Sequence, residues 1–315
     1  MANQIPLSGL TDAAGGYLLP DEQGQLLTTG ILNQAAAFSV AGDVRTTSSR
    51  RTEFPIWLGE PTAGFVGEAG TKAVTGAKFD QGTLNIKKVA SIVLFTDEQI
   101  EDVQNGDLNV LVDSGVRDAI SKVIDQNAIG RNNGSAVSGN FDVELCDTTS
   151  KVELDLSKQD GLALAVSAAM GTLETNGYTD PSNMALILAS DAARHLRDAR
   201  QTGGGTVATA QAQSLYVPNV DPLYGLERSF SSNLDRISAT AGANKTVALL
   251  VYKPNLHVRV RSDITVSASS EATVYDGSQT RNLWQENLTG LRYETRVGFY
   301  VHDLNRAVVK IANES

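Results

Sequence analysis

The sequence predicts an α+β fold, with strands early and late in the chain and helices between them. Three observations carry that reading. Residues 45–95 read as extended strands around a glycine-bearing tip. Residues 107–130 keep a helical apolar spacing for their whole length. From His257 onward, apolar and polar residues alternate with period two. At 315 residues the chain is long enough for two or so domains and a substantial core. Its 41% hydrophobic and 20% charged content is ordinary for a folded protein. With 36 acidic against 26 basic side chains, the formal charge is −10, the wrong sign for a surface built to grip nucleic acid. A single cysteine, Cys146, excludes an intrachain disulfide framework and a cysteine-rich zinc site. No apolar run reaches the roughly 18 residues of a membrane helix, and Met1 to Leu10 carries no secretory-signal pattern.

Residues 1–44 read as an arm with one short helix, about Glu22 to Leu32, carrying Leu26, Leu27 and Ile31 on one side. So little apolar periodicity points to a segment that packs on something else. Phe54 to Trp57 and Gly64 to Val66 then read as strand, Gly67 to Lys78 as a polar tip, and Phe79 to Phe95 as one long return strand. A two-stranded hairpin is marginal by itself in water, and few neighbours in sequence could cover it. A second subunit is the expected cover.

Thr96-Asp-Glu-Gln99 has the spacing of a capping box. The helix that begins after Asp107 places Leu108, Leu111, Val112, Val116, Ala119, Ile120, Val123 and Asn127 along one face and ends at Gly130. Twenty-odd residues at 1.5 Å each make a strut of roughly 35 Å. After a turn at 131–140, Ser157 to Asp160 caps a helix whose body, Leu162 to Leu173, is apolar nearly all round; it is expected at the buried centre of a second domain. Asn176-Gly177 stops it. Ala185 to Leu188 reads as a short buried strand, Ser190 as the cap of a polar helix to about Arg200, and residues 201–218 as an exposed loop. Val247 to Tyr252 reads as a central strand from its continuous apolar run.

Residue types that carry catalysis are sparse. The three histidines, His195, His257 and His302, lie far apart and outside any metal-binding spacing. No G-x-S-x-G elbow occurs. Gly64 to Lys72 lacks the Gly-Lys-Ser/Thr of a phosphate loop, and Gly203-Gly204-Gly205 reads as a relaxed loop. Cys146 has no neighbouring cation in sequence to lower its pKa and reads as a small, partly buried residue. The expectation is a protein with no catalytic residues, no cofactor and no metal.

Five segments together carry a family resemblance: Gly15-Gly-Tyr-Leu-Leu-Pro20, Phe65-Val-Gly-Glu68, the run Asn85 to Gln99, Ile124-Asp-Gln-Asn-Ala-Ile-Gly130, and the run Arg292 to Ala307. In this order and spacing, the chain resembles the major capsid protein of tailed double-stranded DNA bacteriophages, the Hong Kong 97 fold. The resemblance implies an N-terminal arm (1–44), an extended β-hairpin loop (45–90), a peripheral domain (91–156) with its spine helix at 107–130, an axial domain (157–258) and return strands of the peripheral domain (259–315). It implies a structural protein of the virion shell that assembles with itself as hexamers and pentamers, in the host bacterium's cytoplasm, around DNA it does not bind specifically. Portal, scaffolding, maturation-protease and decoration proteins are the partners it implies. Many relatives begin with a charged scaffolding segment that a protease removes, whereas this sequence starts almost directly in the arm. An encapsulin-like cargo compartment is the alternative within the fold, and a hydrolase the alternative outside it.

Some relatives link subunits through an isopeptide bond between a loop lysine and an asparagine, promoted by a glutamate. Asn287 and Glu294 match those positions, and Lys72 and Lys78 are the lysines near the hairpin tip. Glu294 and Arg296, two apart on a strand, also share one face as a plain ion pair. Cationic neighbours would lower the glutamate's pKa and weaken it as a base, so noncovalent shells are expected.

Overall fold

The computed structural model of the chain describes residues 34–57, 63–68, 70–72, 74, 76, 79–102, 107–132, 135–137, 139–155, 161–192, 194, 225–237 and 245–313. In chain order its elements are α1 (Ala36–Ser39), β1 (Asp43–Thr46), β2 (Arg51–Trp57), β3 (Phe79–Asn85), β4 (Lys87–Thr96), α2 (Asp97–Asp102) and α3 (Asp107–Ile129). There follow the small pair β5 (Arg131–Asn132) and β6 (Ser135–Ala136), β7 (Lys151–Glu153), α4 (Gly161–Thr175), β8 (Met184–Ala189), β9 (Glu227–Ser231) and β10 (Lys245–Tyr252). Last come β11 (Leu256–Ser269), the short hairpin β12 (Thr273–Tyr275) and β13 (Thr280–Asn282), β14 (Leu288–Val301), α5 (Leu304–Ala307) and β15 (Val308–Asn313).

Two sheets organise the chain. A four-stranded sheet runs β1-β11-β14-β4, and a five-stranded sheet runs β7-β15-β10-β8-β9. In β11 and β14, alternation decides the faces. Val258 and Val260 pair with Phe299 and Val297 and are buried toward α1 and α3, where Phe38 stacks on Phe299 at 5.7 Å. The five-stranded sheet is covered on both sides. Ala185, Ile187, Leu249 and Val251 join that first core, while Leu186, Leu188, Leu250 and Ile311 pack against Val166, Ala169 and Leu173 of α4. Strands covered on both faces need no polar positions, so β8 and β10 read as unbroken apolar runs.

Several elements form as their local chemistry predicts. The Thr96 N–H donates to Gln99 Oε1 and the Gln99 N–H to Thr96 Oγ1, both at 3.2 Å, closing the capping box at α2. The Tyr178 N–H reaches back to the Leu173 carbonyl at 3.0 Å, ending α4 at Asn176-Gly177. β10 sits at the centre of its sheet.

Five expectations are corrected. Phe79 to Phe95 is two strands: β3 pairs with β2, β4 pairs with β14, and the break falls at Ile86, whose N–H closes the hairpin base on the Arg50 carbonyl. Gly64 to Val66 forms no strand. On α3 the buried row is Val116, Ile120, Ile124 and Ala128, a strict spacing of four; Ala119 is exposed and Val123 is 43% exposed, because they lie about 100° around the helix from that row. α4 buries only the face that meets the sheet, leaving Leu164 47% exposed. β15, expected among the peripheral return strands, instead pairs with β10 and β7 in the five-stranded sheet. The Glu22–Leu32 helix, the Ser157–Asp160 cap, the 201–218 loop and the side chains of Leu108, Leu111 and Val112 lie outside the described residues, as does most of the Ser190–Arg200 helix.

Candidate assembly surfaces

The β2–β3 hairpin leaves the body of the subunit. Pairing runs from Arg51↔Asn85 at its base to Trp57↔Phe79 at the end of the ladder. Beyond it Phe65 is fully exposed and Val74 nearly so, with Phe79 60% exposed. Large apolar side chains so placed lose nothing by leaving water, and contact with another molecule would bury them. The base is different. Leu84 is wholly buried against Gly298, where an added Cβ would lie 2.3 Å from Leu84 Cδ2. Only glycine lets β3 approach β14 so closely.

Of the four residues matched to cross-linking, three are described, and they lie on separate segments. Lys72 is exposed near the tip, and Lys78 lies outside the described residues. Asn287 occupies a left-handed turn (φ 51°) before β14, exposed, with its backbone carbonyl accepting the Asp97 N–H at 3.0 Å. Glu294 lies seven residues on in mid-strand. At about 3.3 Å per residue the two are roughly 20 Å apart, so within one subunit they do not meet. The Glu294 carboxylate accepts from Lys88 Nζ at 2.7 Å and pairs with Arg292 Nε at 3.1 Å. The Lys88 hydrogen bond first, then the charges of Arg292, Lys88 and Arg296, hold its pKa below the ordinary value. Arg292 and Arg296 were legible as partners in the sequence. Lys88 was not, because β4 meets β14 only through the fold.

Two other charged groups escaped the sequence reading. Asp125 on α3 is buried, and among the described residues no cation pairs with it. Its carboxylate accepts from the Ala37 N–H at 2.9 Å, from Asn233 Nδ2 at 3.2 Å and from the Ser231 hydroxyl, joining α1, α3 and the end of β9. Burial pushes its pKa up, and these hydrogen bonds oppose the shift. Asp43 on β1 accepts from His257 Nδ1 at 2.8 Å and Arg259 Nη2 at 2.7 Å, and pairs with Arg45 Nε at 2.7 Å. Burial pushes this carboxyl up, but the bonds from Arg259 and His257 outweigh it and hold it down to about 2. His257, expected on a wet strand face, is thus placed in a charge cluster. His302 lies 3.9 Å from Asp303, and His195 is outside the described residues.

Cys146 is buried, which pushes its thiol up to about 12 and leaves almost no thiolate at neutral pH. Among the described residues no three His, Cys, Asp or Glu side chains come together as a metal site would need. The arrangement is therefore one of surfaces: a polar hairpin tip that exposes Val74 and is flanked by the exposed Phe65 and Phe79, a glycine-seated base, and strands tied by ion pairs.

Comparison with known proteins agrees with that geometry. The model of the phage capsid family matches residues 15–311. A solved structure from Mycobacterium phage Ogopogo superposes with a TM-score of 0.68 at 19% identity, covering 89% of this chain and 92% of that one. A structure from Mycobacterium phage Bobi gives 0.66 at 20% identity, over 89% and 91%. The capsid of a native GTA particle gives 0.63 at 14% identity, over 90% of this chain and 91% of that one. No curated protein sequence matches.

Proposed function

Since the chain belongs to the phage capsid family, we propose that it builds its shell as hexamers and pentamers that close into an icosahedral head around a double-stranded DNA genome. The chain is a major capsid shell protein, a structural subunit of a virion assembled from repeated copies. The observation that carries the finer reading is the family match over 15–311, joined to a hairpin end at which Phe65, Val74 and Phe79 are left exposed by the described residues. In this reading the hairpin is the extended loop, the four-stranded sheet with α3 is the peripheral domain, and the five-stranded sheet with α4, now including β15, is the axial domain. Each subunit contributes several modest contacts, and multivalency in a closed symmetric array turns them into a durable container. A net charge of −10 suits an inner wall that repels packed phosphates, so DNA moves past without sticking. Assembly takes place in the bacterial cytoplasm, with portal, scaffolding, protease and decoration proteins as partners, and the subunit itself carries out no catalysis. An encapsulin-like compartment and a hydrolase are not favoured.

Expression of the chain followed by negative-stain microscopy is expected to show closed shells or capsomer-sized rings. A monodisperse monomer at high concentration would count against the reading.

The shells are expected to be noncovalent. A cross-link would need a neutral lysine amine to attack the Asn287 carboxamide and expel its nitrogen as ammonia, while a glutamate takes the proton from the attacking amine and passes it to the leaving nitrogen. Glu294, held ionised by Lys88 and Arg292, is a poor base for that step. Particles boiled in detergent are expected to run as a single monomer band. A ladder that disappears in Asn287→Ala would overturn this.

A further inference from the structure

Across β1, β11 and β14 the register sets Asp43, His257 and Tyr300 in one row, and Arg45, Arg259 and Gly298 in the next row on the same face. The opposite face, with Val258 and Phe299, is the core. The outer face should be solvated, yet Arg259 is buried there, and the reason is the hairpin. Phe54 of β2 stacks on His257 at 4.9 Å and on Tyr300 at 6.1 Å, while the Arg259 guanidinium lies 5.0 Å over its ring. Directly across the hairpin from Phe54 is Gly82. A Cβ there would lie 2.9 Å from the Tyr300 hydroxyl, so the tyrosine occupies the space a side chain would have taken.

We propose that Phe54, seated on His257, Tyr300 and Arg259, is a clamp that presets the direction in which the hairpin leaves the subunit, with Asp43 as the pin that holds the two nitrogen-bearing side chains beneath the ring. The inference rests on the shell reading, because only an assembling subunit needs its outreaching arm aimed in advance. Asp43 accepts from both His257 and Arg259, and Arg259 Nη1 also reaches the Asp43 carbonyl at 3.2 Å. Neither side chain is then free to rotate away from the phenyl ring. Aiming the arm before contact lowers the ordering entropy that docking would otherwise cost. The clamp is local to one side of one sheet, so loosening it leaves both hydrophobic cores in place.

The test is amide hydrogen exchange on the purified, unassembled subunit. Phe54→Ala is expected to speed exchange in β2 and β3 by about tenfold while amides of β8 and β10 keep their wild-type rates. Phe54→Leu, which keeps apolar bulk but removes stacking, is expected to give a smaller increase in the same strands and is the variant to read if the alanine variant is insoluble. Gly82→Ala leaves the Phe54 ring intact and displaces Tyr300, and the same loosening is expected. Wild-type exchange in the hairpin of Phe54→Leu and Gly82→Ala, or equal acceleration throughout the molecule, would overturn the clamp. Particle images separate this from the parent reading. If wild type forms shells, the variants are expected to form shells of mixed diameter, and uniform wild-type shells from them would overturn the aiming role. If wild type forms none, the shell reading fails while the exchange result still decides the clamp.

Discussion

Replacing Ile120 by aspartate is expected to abolish soluble protein, whereas the same change three residues on, at Val123, is expected to leave yield and Tm close to wild type. Ile120 is 2% exposed and packs in the core shared by α1, α3 and the inner faces of both sheets. Losing its side chain costs about 2–5 kcal/mol in transfer and cavity terms. An aspartate in its place adds several kcal/mol for burying an unpartnered charge, or the cost of protonating it. Total stabilities are only about 5–15 kcal/mol, so the sum is enough to unfold the subunit. Val123 lies about 60° around the same helix from Ile120, 43% exposed, where a carboxylate stays hydrated. Ile120→Val, at about 0.5–1.5 kcal/mol, is expected to fold with a lowered Tm. Soluble Ile120→Asp with wild-type Tm, or insoluble Val123→Asp, would show that the buried row of α3 was misplaced.

Deleting the hairpin tip, Gly67 to Lys78, is expected to leave a folded subunit that no longer closes into particles. The β2–β3 ladder ends at Trp57↔Phe79, so a short linker across the gap spares every pair in it. The base, with Leu84 against Gly298 and Phe54 on His257, is also untouched. What goes is a stretch containing the exposed Val74 and bordering the exposed Phe65, none of whose described residues belongs to either core. Circular dichroism is expected to match wild type, and sedimentation to show only small species. Normal closed particles from the deletion would remove the tip from assembly. A loss of circular dichroism would mean that the tip supports the fold itself.

Much of the fold was legible because its causes are local in sequence. A capping box at Thr96 and Gln99 needs only four consecutive residues, and it forms. A 23-residue helix over 107–129 and buried strands at 184–189 and 245–252 announce themselves by period and by unbroken apolar runs. The alternation after His257 likewise states which side of β11 and β14 faces the core, and the five family segments state what kind of molecule this is. Pairing partners are another matter. Phe79 to Phe95 looks continuous, and only the contacts of Ile86 divide it between two sheets. β15 reads with the alternating late strands, yet it is buried at nearly every position and pairs in the other sheet.

The sites follow the same division. Glu294 and Asn287 were found by motif, while Lys88, whose hydrogen bond does most to hold Glu294 ionised, arrives from β4, some 200 residues earlier in the chain. Apart from Arg45, two residues from Asp43, the groups that hold Asp125, Asp43 and His257 lie 88 to 216 positions away and leave no local signal. Sequence by itself determined the class of each segment, the apolar faces of the late strands and the family. Tertiary structure alone decided which strands share a sheet, which row of α3 is dry and where the hairpin is seated. Propensity and periodicity are properties of neighbouring residues, whereas burial, hydrogen-bond partners and charge environments are set by residues that only folding brings together.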